Sequence, residues 1–406
     1  MQKYNLFSEQ LEFDFKNLVI NQFTKADLDK LILKIKTKHQ TEVNYNLLFE
    51  TIVNYRKACH KVPTLALNYC WLPAKSYEQA SSELTAFYKS GIVKGTNVLD
   101  LCGGLGVDDI AFASTFAHVV SLDINEELNQ IVNHNFKKIG LDNIKRLGLP
   151  AEDYLAANTT HFDLIYADAD RRPDSNAKKF IIEDCTPNII ALLPVIKQYS
   201  SKLLLKLSPL VDLSYIKTKF SNIETIYVIA VQNEVKEVLV LISFQESVVT
   251  STIAVNLIDK QTIESFIYKD DSVTNNVNSS NHTEYFFEPN LAIIKAGLSN
   301  VYANYCGLKM LAENSHFFVG DNVPNDFMGR SFRVVNSMPF AKSTFKDYLK
   351  QKQLTKVNIS RRNFPTTVAE IYKQFKLKEG GDDYLFFTQN AQNEKLFYHC
   401  EKVDKP

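Results

Sequence analysis

The stretch that decides the fold is N-V-L-D-L-C-G-G-L-G-V-D-D, residues 97–109. Val98, Leu99 and Leu101 predict a short buried strand, and a helical pattern opens near Asp108. A strand followed at once by glycines and then by a helix is typical of nucleotide-binding and cofactor-binding α/β folds.

Three glycines, Gly103, Gly104 and Gly106, form the turn between this strand and this helix. Such glycines let the backbone approach a ligand closely and leave free N–H groups that face it. Asp100, directly before them, narrows the choice of ligand, because a carboxylate repels phosphate and attracts a cation. The cationic amino-acid part of S-adenosylmethionine (SAM) suits this acid.

Composition indicates a soluble chain of several domains. A length of 406 residues is too great for one core, and 45% hydrophobic with 23% charged residues is ordinary for globular protein. No apolar run approaches the roughly 20 residues that cross a membrane, and the N-terminus lacks a signal-peptide layout. The six cysteines are scattered without a C-x-x-C pair, which predicts no metal site and a cytoplasmic location.

Charge is unevenly distributed although the net charge is zero. Residues 1–94 carry 13 basic and 9 acidic side chains (+4), and residues 341–406 carry 13 and 8 (+5). The centre is acidic, with 14 and 19 over residues 95–245 (−5) and 6 and 10 over residues 246–340 (−4). Basic ends are typical of modules that hold a polyanion. Chance variation over solvated faces is the alternative.

The segment before the glycine turn predicts helices. Apolar residues recur at helical spacing from Thr24 and again from Tyr45 to Cys59. A third helix is predicted from Ser76, with Gln79 completing a capping box and Gly91 as its end. Because this helix leads into the turn, Glu83 and Thr85 are candidate cofactor contacts. A capped surface helix without a binding role is the alternative.

From Gly95 onward, strand and helix patterns alternate up to Phe244. Such alternation predicts a doubly wound, mostly parallel sheet with helices on both faces. The last two strands, Thr225–Val231 and Val238–Phe244, have only a short polar connection and therefore form an antiparallel hairpin. A parallel sheet closed by such a hairpin is the Rossmann-like architecture of class I methyltransferases.

The turn sequence also separates a methyltransferase from a dehydrogenase. A dehydrogenase needs G-x-G-x-x-G, but Asp109 occupies the position of the third glycine. Asp123, after the second strand, suits a ribose diol in either fold, whereas only SAM also explains Asp100. The predicted cofactor residues around the first two strands are Asp100, Leu101, Cys102, Gly103, Gly104, Gly106, Asp123 and Ile124.

The third strand should be followed by an acid that takes the adenine amino group. Pro150 occupies the usual position here, and Glu152 and Asp153 come just after it. The backbone N–H of Ala151 is a further candidate for the adenine ring. The sequence does not choose between Glu152 and Asp153, and either residue also suits the start of a helix.

The fourth strand ends in Y-A-D-A-D-R-R-P, residues 166–173, where this fold holds the methyl acceptor. Asp168, which is also a candidate for cofactor binding, is placed to accept a hydrogen bond from the acceptor beside the cofactor, and Asp170 follows it. Methyl transfer is an in-line displacement, so alignment supplies most of the catalysis. Arg171 and Arg172 suit a phosphate or a base, with an ion pair to these acids as the alternative. Lys206, at the same rim, is the last catalytic candidate.

Several strings together resemble bacterial class I methyltransferases that carry a THUMP-like C-terminal domain. They include E-Q-A-S-S-E-L-T-A, D-L-C-G-G-L-G-V-D, K-L-S-P and the N-E-V-K-E hairpin. Further matches are Tyr285–Gly297 and Phe327–Phe332 in a ferredoxin-like domain, and Arg361–Pro365 and Lys378–Thr388 in the THUMP-like domain. The family is distantly similar to trimethylguanosine synthase and other RNA methyltransferases, which implies an RNA substrate. The family's Asp-Pro-Ala-Arg-Arg is changed here by Ala169 and Asp170, which removes a fixed φ beside the acceptor.

The C-terminal part predicts small α+β domains. Residues 269–284 are polar and predict a loop, and Gly380–Asp383 predicts a turn beside the hairpin Tyr384–Thr388 and Lys395–Cys400. A helix is predicted at Thr366–Gln374. Five basic residues suggest a nucleic-acid-binding face, with solvated lysines of an ordinary domain as the alternative; they are Arg361, Arg362, Lys373, Lys376 and Lys378.

Four domains are expected: helical residues 1–94, a methyltransferase domain 95–245, a ferredoxin-like domain 246–345 and a THUMP-like domain 346–406. The predicted function is a cytoplasmic SAM-dependent methyltransferase that acts on RNA, without metal or membrane. The alternatives are methylation of a protein or small molecule, and a nucleic-acid-binding protein that holds SAM without transferring the methyl group. The sequence does not give the oligomeric state.

Overall fold

The computed structural model describes residues 15–16, 45–171, 181–245, 249–269 and 283–403. The helix predicted from Thr24 lies outside them. The chain forms two compact units, Met1–Glu224 with Val238–Val248 and Thr225–Glu237 with Val249–Pro406.

The first unit contains nine described α-helices. They are α1 Tyr45–Lys61, α2 Pro63–Leu67, α3 Ala74–Gln79, α4 Glu83–Ser90, α5 Val107–Ala113, α6 Glu126–Lys138, α7 Ala151–Ala157, α8 Ile189–Tyr199 and α9 Leu213–Lys219. Buried side chains of α1 and α2 share a core with those of α5 and α6, including Ala58, Leu65, Ile110 and Phe136. The N-terminal helices therefore pack on the helices that flank the glycine turn.

The single helix predicted from Ser76 is wrong, because the structure has two helices there. The chain is extended at Ala80 and Ser82, and α4 begins only after Ser82. The Ser82 hydroxyl accepts the N–H of Thr85 at 3.2 Å, so the N-terminal cap lies at Ser82 and not at Ser76. Gly91 ends α4, as predicted.

The sheet of the first unit has the order β9-β7-β4-β1-β2-β3. All neighbours are parallel except β7 and β9, which are antiparallel. The strands are β1 Asn97–Asp100, β2 His118–Leu122, β3 Ile144–Leu147, β4 Leu164–Ala167, β7 Lys202–Leu207 and β9 Glu234–Ser243, of which Val238–Ser243 pairs with β7. This confirms the predicted fold, a doubly wound sheet closed by an antiparallel strand.

The strand order places a topological switch between β1 and β4. From β1 the chain proceeds outward to β2 and β3, and then returns to β4 on the other side of β1. In open α/β sheets, ligands bind at the carboxyl ends of the strands beside such a switch. Asp100 ends β1, and Asp168 follows β4 directly. The two predicted halves of the site therefore flank the switch.

Helix α8 begins at Ile189, and the segment before it, residues 181–188, is not α-helical. A 3₁₀ turn covers Ile182–Asp184, and the short strand β6 Cys185–Thr186 pairs with β5 Asp170–Arg171. The Asn188 side chain accepts the N–H of Ala191 at 3.1 Å and caps α8. Pairing with β5 thus holds this segment extended up to its cap.

In the second unit, β11, β10 and β8 are neighbouring strands in that order, and a seven-stranded sheet has the order β13-β14-β12-β15-β18-β17-β16. The strands are β8 Ile223–Val231, β10 Ser251–Leu257, β11 Ile263–Lys269, β12 Tyr285–Pro289, β13 Lys309–Met310, β14 Phe318–Gly320, β15 Gly329–Pro339, β16 Lys356–Arg361, β17 Lys378–Gln389 and β18 Lys395–Val403. The helices are α10 Leu291–Lys295, α11 Ser299–Tyr305, α12 Lys342–Gln351 and α13 Val368–Phe375.

Some second-unit features differ from the sequence predictions. Strands β10 and β11 were not predicted, and the predicted turn at Gly380–Asp383 lies inside β17. The β16–β17 register jumps there, from Val357 opposite Glu379 to Asn358 opposite Tyr384. Gly380 has φ 111° and Gly381 has φ 84°, so these glycines form a bulge and not a chain reversal. Of the predicted loop 269–284, residues 270–282 lie outside the described residues.

The capped helix near residue 366 is present, shifted by two residues. Thr367 accepts the N–H of Glu370, and the Glu370 carboxylate accepts the N–H of Thr367, which makes a capping box. A two-residue turn, Gln232 and Asn233, both with positive φ, joins β8 to β9, and it is shorter than the predicted connection because β9 begins at Glu234. Within the described ranges, no helix is long and apolar enough to cross a membrane.

Candidate functional site

The glycine turn is folded back onto the end of β2. Gly103 donates its N–H to the Leu122 carbonyl at 2.8 Å, Gly104 donates to Asp123 Oδ2 at 3.0 Å, and Gly106 donates to the Gly103 carbonyl at 2.8 Å. The expectation that these N–H groups are free to face a ligand is therefore wrong. The turn offers a ligand its backbone surface, with the Asp123 carboxylate beside it.

Two glycines are required by close packing. A Cβ on Gly103 would lie 2.1 Å from Ser121 Oγ and 2.2 Å from Arg146 Nη1. Gly106 has φ 80°, and a Cβ there would lie 2.6 Å from the Phe136 ring. The glycines bring the turn close to β2, β3 and α6, which fixes where Asp100 and Asp123 point.

Asp100 is almost wholly buried, with 1% of its surface exposed. Its Oδ1 accepts the N–H of Cys102 at 2.8 Å. Burial raises the pKa of Asp100 well above its ordinary value, and the neighbouring Asp109 carboxyl raises it further. The acid predicted to receive a cation therefore lies in surroundings that favour its protonated form.

Asp109 and Arg146 form a buried ion pair beside the turn. Asp109 Oδ2 accepts Ser121 Oγ at 2.6 Å and Arg146 Nη1 at 3.0 Å. Burial raises the pKa of Asp109, and Arg146 opposes this without cancelling it. The acid that replaces the third glycine of the dinucleotide pattern is thus part of an internal charge network.

Arg146 joins the pieces of the predicted cofactor site. Its Nε donates to Asn129 at 2.7 Å and its Nη2 donates to the Gly104 carbonyl at 2.7 Å. The same Nη2 lies 3.4 Å from Asp123 Oδ2. Asp123 also accepts the N–H of Asn125 at 2.8 Å. One buried guanidinium therefore fixes the turn and the ribose candidate together.

Asp108 is held by a second cation. Its Oδ1 lies 3.1 Å from Nζ of the fully buried Lys89, and its Oδ2 accepts the hydroxyls of Ser81 and Tyr166, each at 2.9 Å. Burial alone would raise the pKa of Asp108, but Lys89, with Lys206 second, brings it below the ordinary value. The surroundings of Asp108 therefore favour its ionised form, whereas those of Asp100 favour its protonated form.

The acceptor candidates lie on the other side of the switch. Lys206, near the end of β7, makes an ion pair with Asp168, whose side chain is 28% exposed. The backbone of Asp170 and Arg171 forms β5. The side chains of Asp170 and Arg171, and all of Arg172, lie outside the described residues. The described acceptor half thus consists of one carboxylate and one ammonium group.

The remaining candidates are placed as follows. Glu83 is buried and accepts the N–H of Thr64 at 2.7 Å, and Thr85 binds its cap Ser82, so both hold α4. Leu101 is buried and donates its N–H to the Tyr166 carbonyl at 3.0 Å. Ile124 is 72% exposed.

The adenine candidates lie at the start of α7. Ala151 is buried in its first turn, and Glu152 and Asp153 are exposed in the same turn. This position suits their helix-starting role, which the sequence left open. Their part in cofactor binding stays a prediction.

The two cations that hold the site were not predicted from the sequence; they are Lys89 and Arg146. A signal was available for Arg146, because an arginine within the short strand I-K-R-L needs an acidic partner if its side chain is buried. From the sequence, Asp109 served only to exclude a dinucleotide-binding turn, and its ion pair was not predicted. Nothing in the sequence shows that Lys89 lies 3.1 Å from Asp108.

In the second unit, the predicted basic face is divided. Arg362 is turned inward, with Nη1 2.7 Å from the His316 carbonyl, Nη2 3.2 Å from Glu288 and its guanidinium over the Phe317 ring. Lys373, Lys376 and Lys378 are exposed, and so is Arg361. Arg362 is therefore a structural residue, and it was wrongly included in the face. No group of acids, histidines and cysteines suited to a metal occurs among the described residues.

Two parts of the chain match known protein families, and one solved structure resembles it over nearly its whole length. Residues 329–402 match the family described as THUMP domain-like, and residues 285–327 match a ferredoxin-like domain family. A proposed methyltransferase from Porphyromonas gingivalis W83 is 28% identical, with TM-score 0.85, over 98% of this chain and 100% of that chain. No curated protein matches.

Other solved structures resemble only part of the chain. A proposed methyltransferase from Streptococcus mutans, solved with SAH, is 14% identical over 40% of this chain and 96% of that chain, with TM-score 0.30. An rRNA methylase from Streptococcus thermophilus is 12% identical over 39% of this chain and 93% of that chain, with TM-score 0.30. On its family matches and its whole-length likeness to the Porphyromonas protein, the chain has the class I methyltransferase fold with ferredoxin-like and THUMP-like domains.

Proposed function

We propose that this protein is a SAM-dependent methyltransferase and that its acceptor is RNA. The observation that carries the proposal is the placement of three acids, Asp100, Asp123 and Asp168, after three parallel strands at one sheet edge. They lie on both sides of the switch point, where this kind of sheet binds ligands. The whole-length likeness to the Porphyromonas protein supports it.

The residues at the switch fit SAM. Asp100 would accept the ammonium group and Asp123 the ribose hydroxyls, with the start of α7 beside the adenine. A carboxylate can pair with an ammonium group or accept hydrogen bonds from ribose hydroxyls, and it repels a phosphate. The chemistry of Asp100 and Asp123 therefore fits SAM. When bound, SAM supplies a methyl group that its sulfonium centre has already activated. The protein then has to bind, align and exclude water.

Asp168 and Lys206 would align the acceptor. Asp168 is partly exposed, so its carboxylate can accept a hydrogen bond from the acceptor and turn the acceptor's lone pair toward the methyl carbon. That lone pair forms the new bond as the carbon–sulfur bond breaks, and the electrons of the broken bond remain on sulfur. Lys206 holds Asp168 in place until the acceptor arrives.

An RNA acceptor is supported by the C-terminal part of the chain. Residues 329–402 match the THUMP-like family, and residues 341–406 carry 13 basic against 8 acidic side chains, a balance of +5. Lys373, Lys376 and Lys378 are exposed. We keep the four-domain division as part of the proposal, with residues 346–406 selecting RNA and residues 95–245 transferring the methyl group.

The test is incubation with methyl-labelled SAM and total RNA, and separately with a protein extract. Asp168→Asn is the inactive comparison, and Asp142→Asn, an exposed acid away from the sheet edge, is the matched control. We expect label in RNA with the unaltered protein and the control, and little with Asp168→Asn. Label only in protein would replace RNA by a protein acceptor.

One observation favours a second function, a SAM-binding protein without transfer. Ala169 and Asp170 stand where the family has Pro and Ala, and Asp168 is already engaged by Lys206. Calorimetric binding of SAM without label in RNA or protein would support that function. Absence of SAM binding would overturn both.

A further inference from the structure

The cofactor half contains a buried oxygen without a donor. Among the described residues, no N–H or hydroxyl group reaches Asp109 Oδ1, although Oδ2 of the same carboxylate accepts Ser121 and Arg146. Asp109 is 0% exposed, so bulk solvent does not reach this oxygen. A buried acceptor without a donor costs free energy, and such an atom calls for an explanation.

The neighbour of this carboxylate is the carboxyl group of Asp100, which hydrogen-bonds to it. Two carboxylates cannot hydrogen-bond unless one carries a proton. Arg146 and Ser121 stabilise the negative charge of Asp109, whereas Asp100 has one backbone N–H, from Cys102. The proton therefore belongs mainly to Asp100.

Other charged and titratable groups around the pair come from five elements and from the residue after β2. They are Asp108 on α5, Lys89 on α4, Arg146 on β3, Tyr166 on β4 and Lys206 on β7, with Asp123 after β2. Lys89 and Lys206 act on Asp108, and Arg146 acts on Asp109 and Asp123. The strongest influences on the pKa of Asp100 are its burial and the Asp109 carboxyl, with Cys102 and Asp108 after them.

We propose that Asp109 is a positioning residue of the cofactor site, which shares one proton with Asp100 until the ammonium group of SAM displaces that proton. This rests on the proposed function, because it requires that SAM bind at Asp100. The ammonium group stays protonated and becomes the missing cation, while the Asp100 proton leaves to solvent. Asp109 thus acts through Asp100 and does not touch the cofactor.

Binding should therefore release a proton and weaken with acid. Burial and Asp109 raise the pKa of Asp100, so the proton is present below that raised value and competes with SAM. The dissociation constant should rise by up to about tenfold for each pH unit below it, the limit for one proton. At about pH 6 the amino group of SAM is itself protonated, since its ordinary pKa is about 7.7–8.0.

The experiment is calorimetry of SAM binding at about pH 6 in phosphate and in bis-Tris, two buffers that work near this pH and have different protonation enthalpies. A buffer-dependent binding enthalpy should report proton release, up to one proton for each SAM bound. S-adenosylhomocysteine, which keeps the ammonium group without the sulfonium, should release the same amount. Methylthioadenosine, which lacks the amino-acid part, should release none.

Asp109→Asn separates positioning from a structural role. Its amide can donate to Asp100, which then has no need of the proton, so SAM should bind with little proton release and a flat pH profile. A merely destabilised site would instead weaken binding and keep the pH slope. Tight SAM binding by the unaltered protein without proton release or pH slope would overturn the proposal, whatever the variant does. Absence of SAM binding would instead overturn the proposed function.

Discussion

The two halves of the site hold their charges in different ways. In the cofactor half, the side chains of Asp109 and Arg146 are both 0% exposed. In the acceptor half, Lys206 is 15% and Asp168 28% exposed. A solvent-exposed ion pair is screened by water and ions, so its members can exchange partners. A buried ion pair keeps its geometry, because breaking it leaves an uncompensated charge in the interior. The cofactor half is therefore preorganised, and the acceptor half can open to an incoming group.

The largest effect should follow from removing the buried guanidinium. Arg146→Met leaves Asp109 and Asp123 without their cation and should lower the free energy of unfolding by about 3–5 kcal/mol. Chemical denaturation measures it. Lys145→Met, an exposed neighbour on the same strand, is the control and should change it by less than about 0.5 kcal/mol. Equal losses in the two variants would contradict the difference between buried and exposed charge.

Binding should depend on the acids of the cofactor half. Asp100→Ala and Asp123→Ala should each weaken SAM binding about 100-fold or more, because each removes the partner of a polar cofactor group in a site shielded from water. Titration calorimetry measures the loss, and a folded variant is verified by its near-ultraviolet spectrum. Unchanged SAM affinity in Asp100→Ala would remove that residue from the site.

The acceptor half should show the opposite pattern. Asp168→Asn should lower turnover about 100-fold, since alignment of the acceptor is lost. SAM affinity should stay within about twofold, because Asp168 lies across the switch from Asp100, after a different strand. A parallel loss of binding and turnover would show that the halves are not separate.

What the sequence could predict follows from which interactions are local. The alternating strand and helix patterns predicted β1 to β4 and their helices, because the apolar residues that become buried recur at a fixed period along the sequence. Ser82 was missed as a cap because Ser76 offers the same local signal, and only packing distinguishes them. Asp100 and Asp123 are visible as acids at strand ends. Their partners are not, since Arg146 lies 37 residues from Asp109 along the chain.

The same limit applies to protonation. An acid after a strand is visible in the sequence, but its charge state depends on burial and on neighbours such as Asp109. The sequence correctly predicts Asp100 at the end of a strand. It does not predict that the surroundings of Asp100 favour its protonated form. The acceptor half stays a prediction in part, because Arg172 and the side chains of Asp170 and Arg171 lie outside the described residues.

The smallest effect concerns that proton and stability. The raised pKa of Asp100 means that the folded protein keeps a proton that the unfolded chain has lost, so stability falls as pH rises through that value. Asp100→Asn removes this loss, and its amide can donate to Asp109. The variant should match the unaltered protein near about pH 4 and exceed it by about 1–2 kcal/mol near about pH 8. Asp108, whose lowered pKa gives the opposite slope in acid, is present in both proteins. Thermal denaturation across this range, with Asp142→Asn as control, measures the difference, and a variant less stable at about pH 8 would mean that Asp100 is ionised before any cofactor binds.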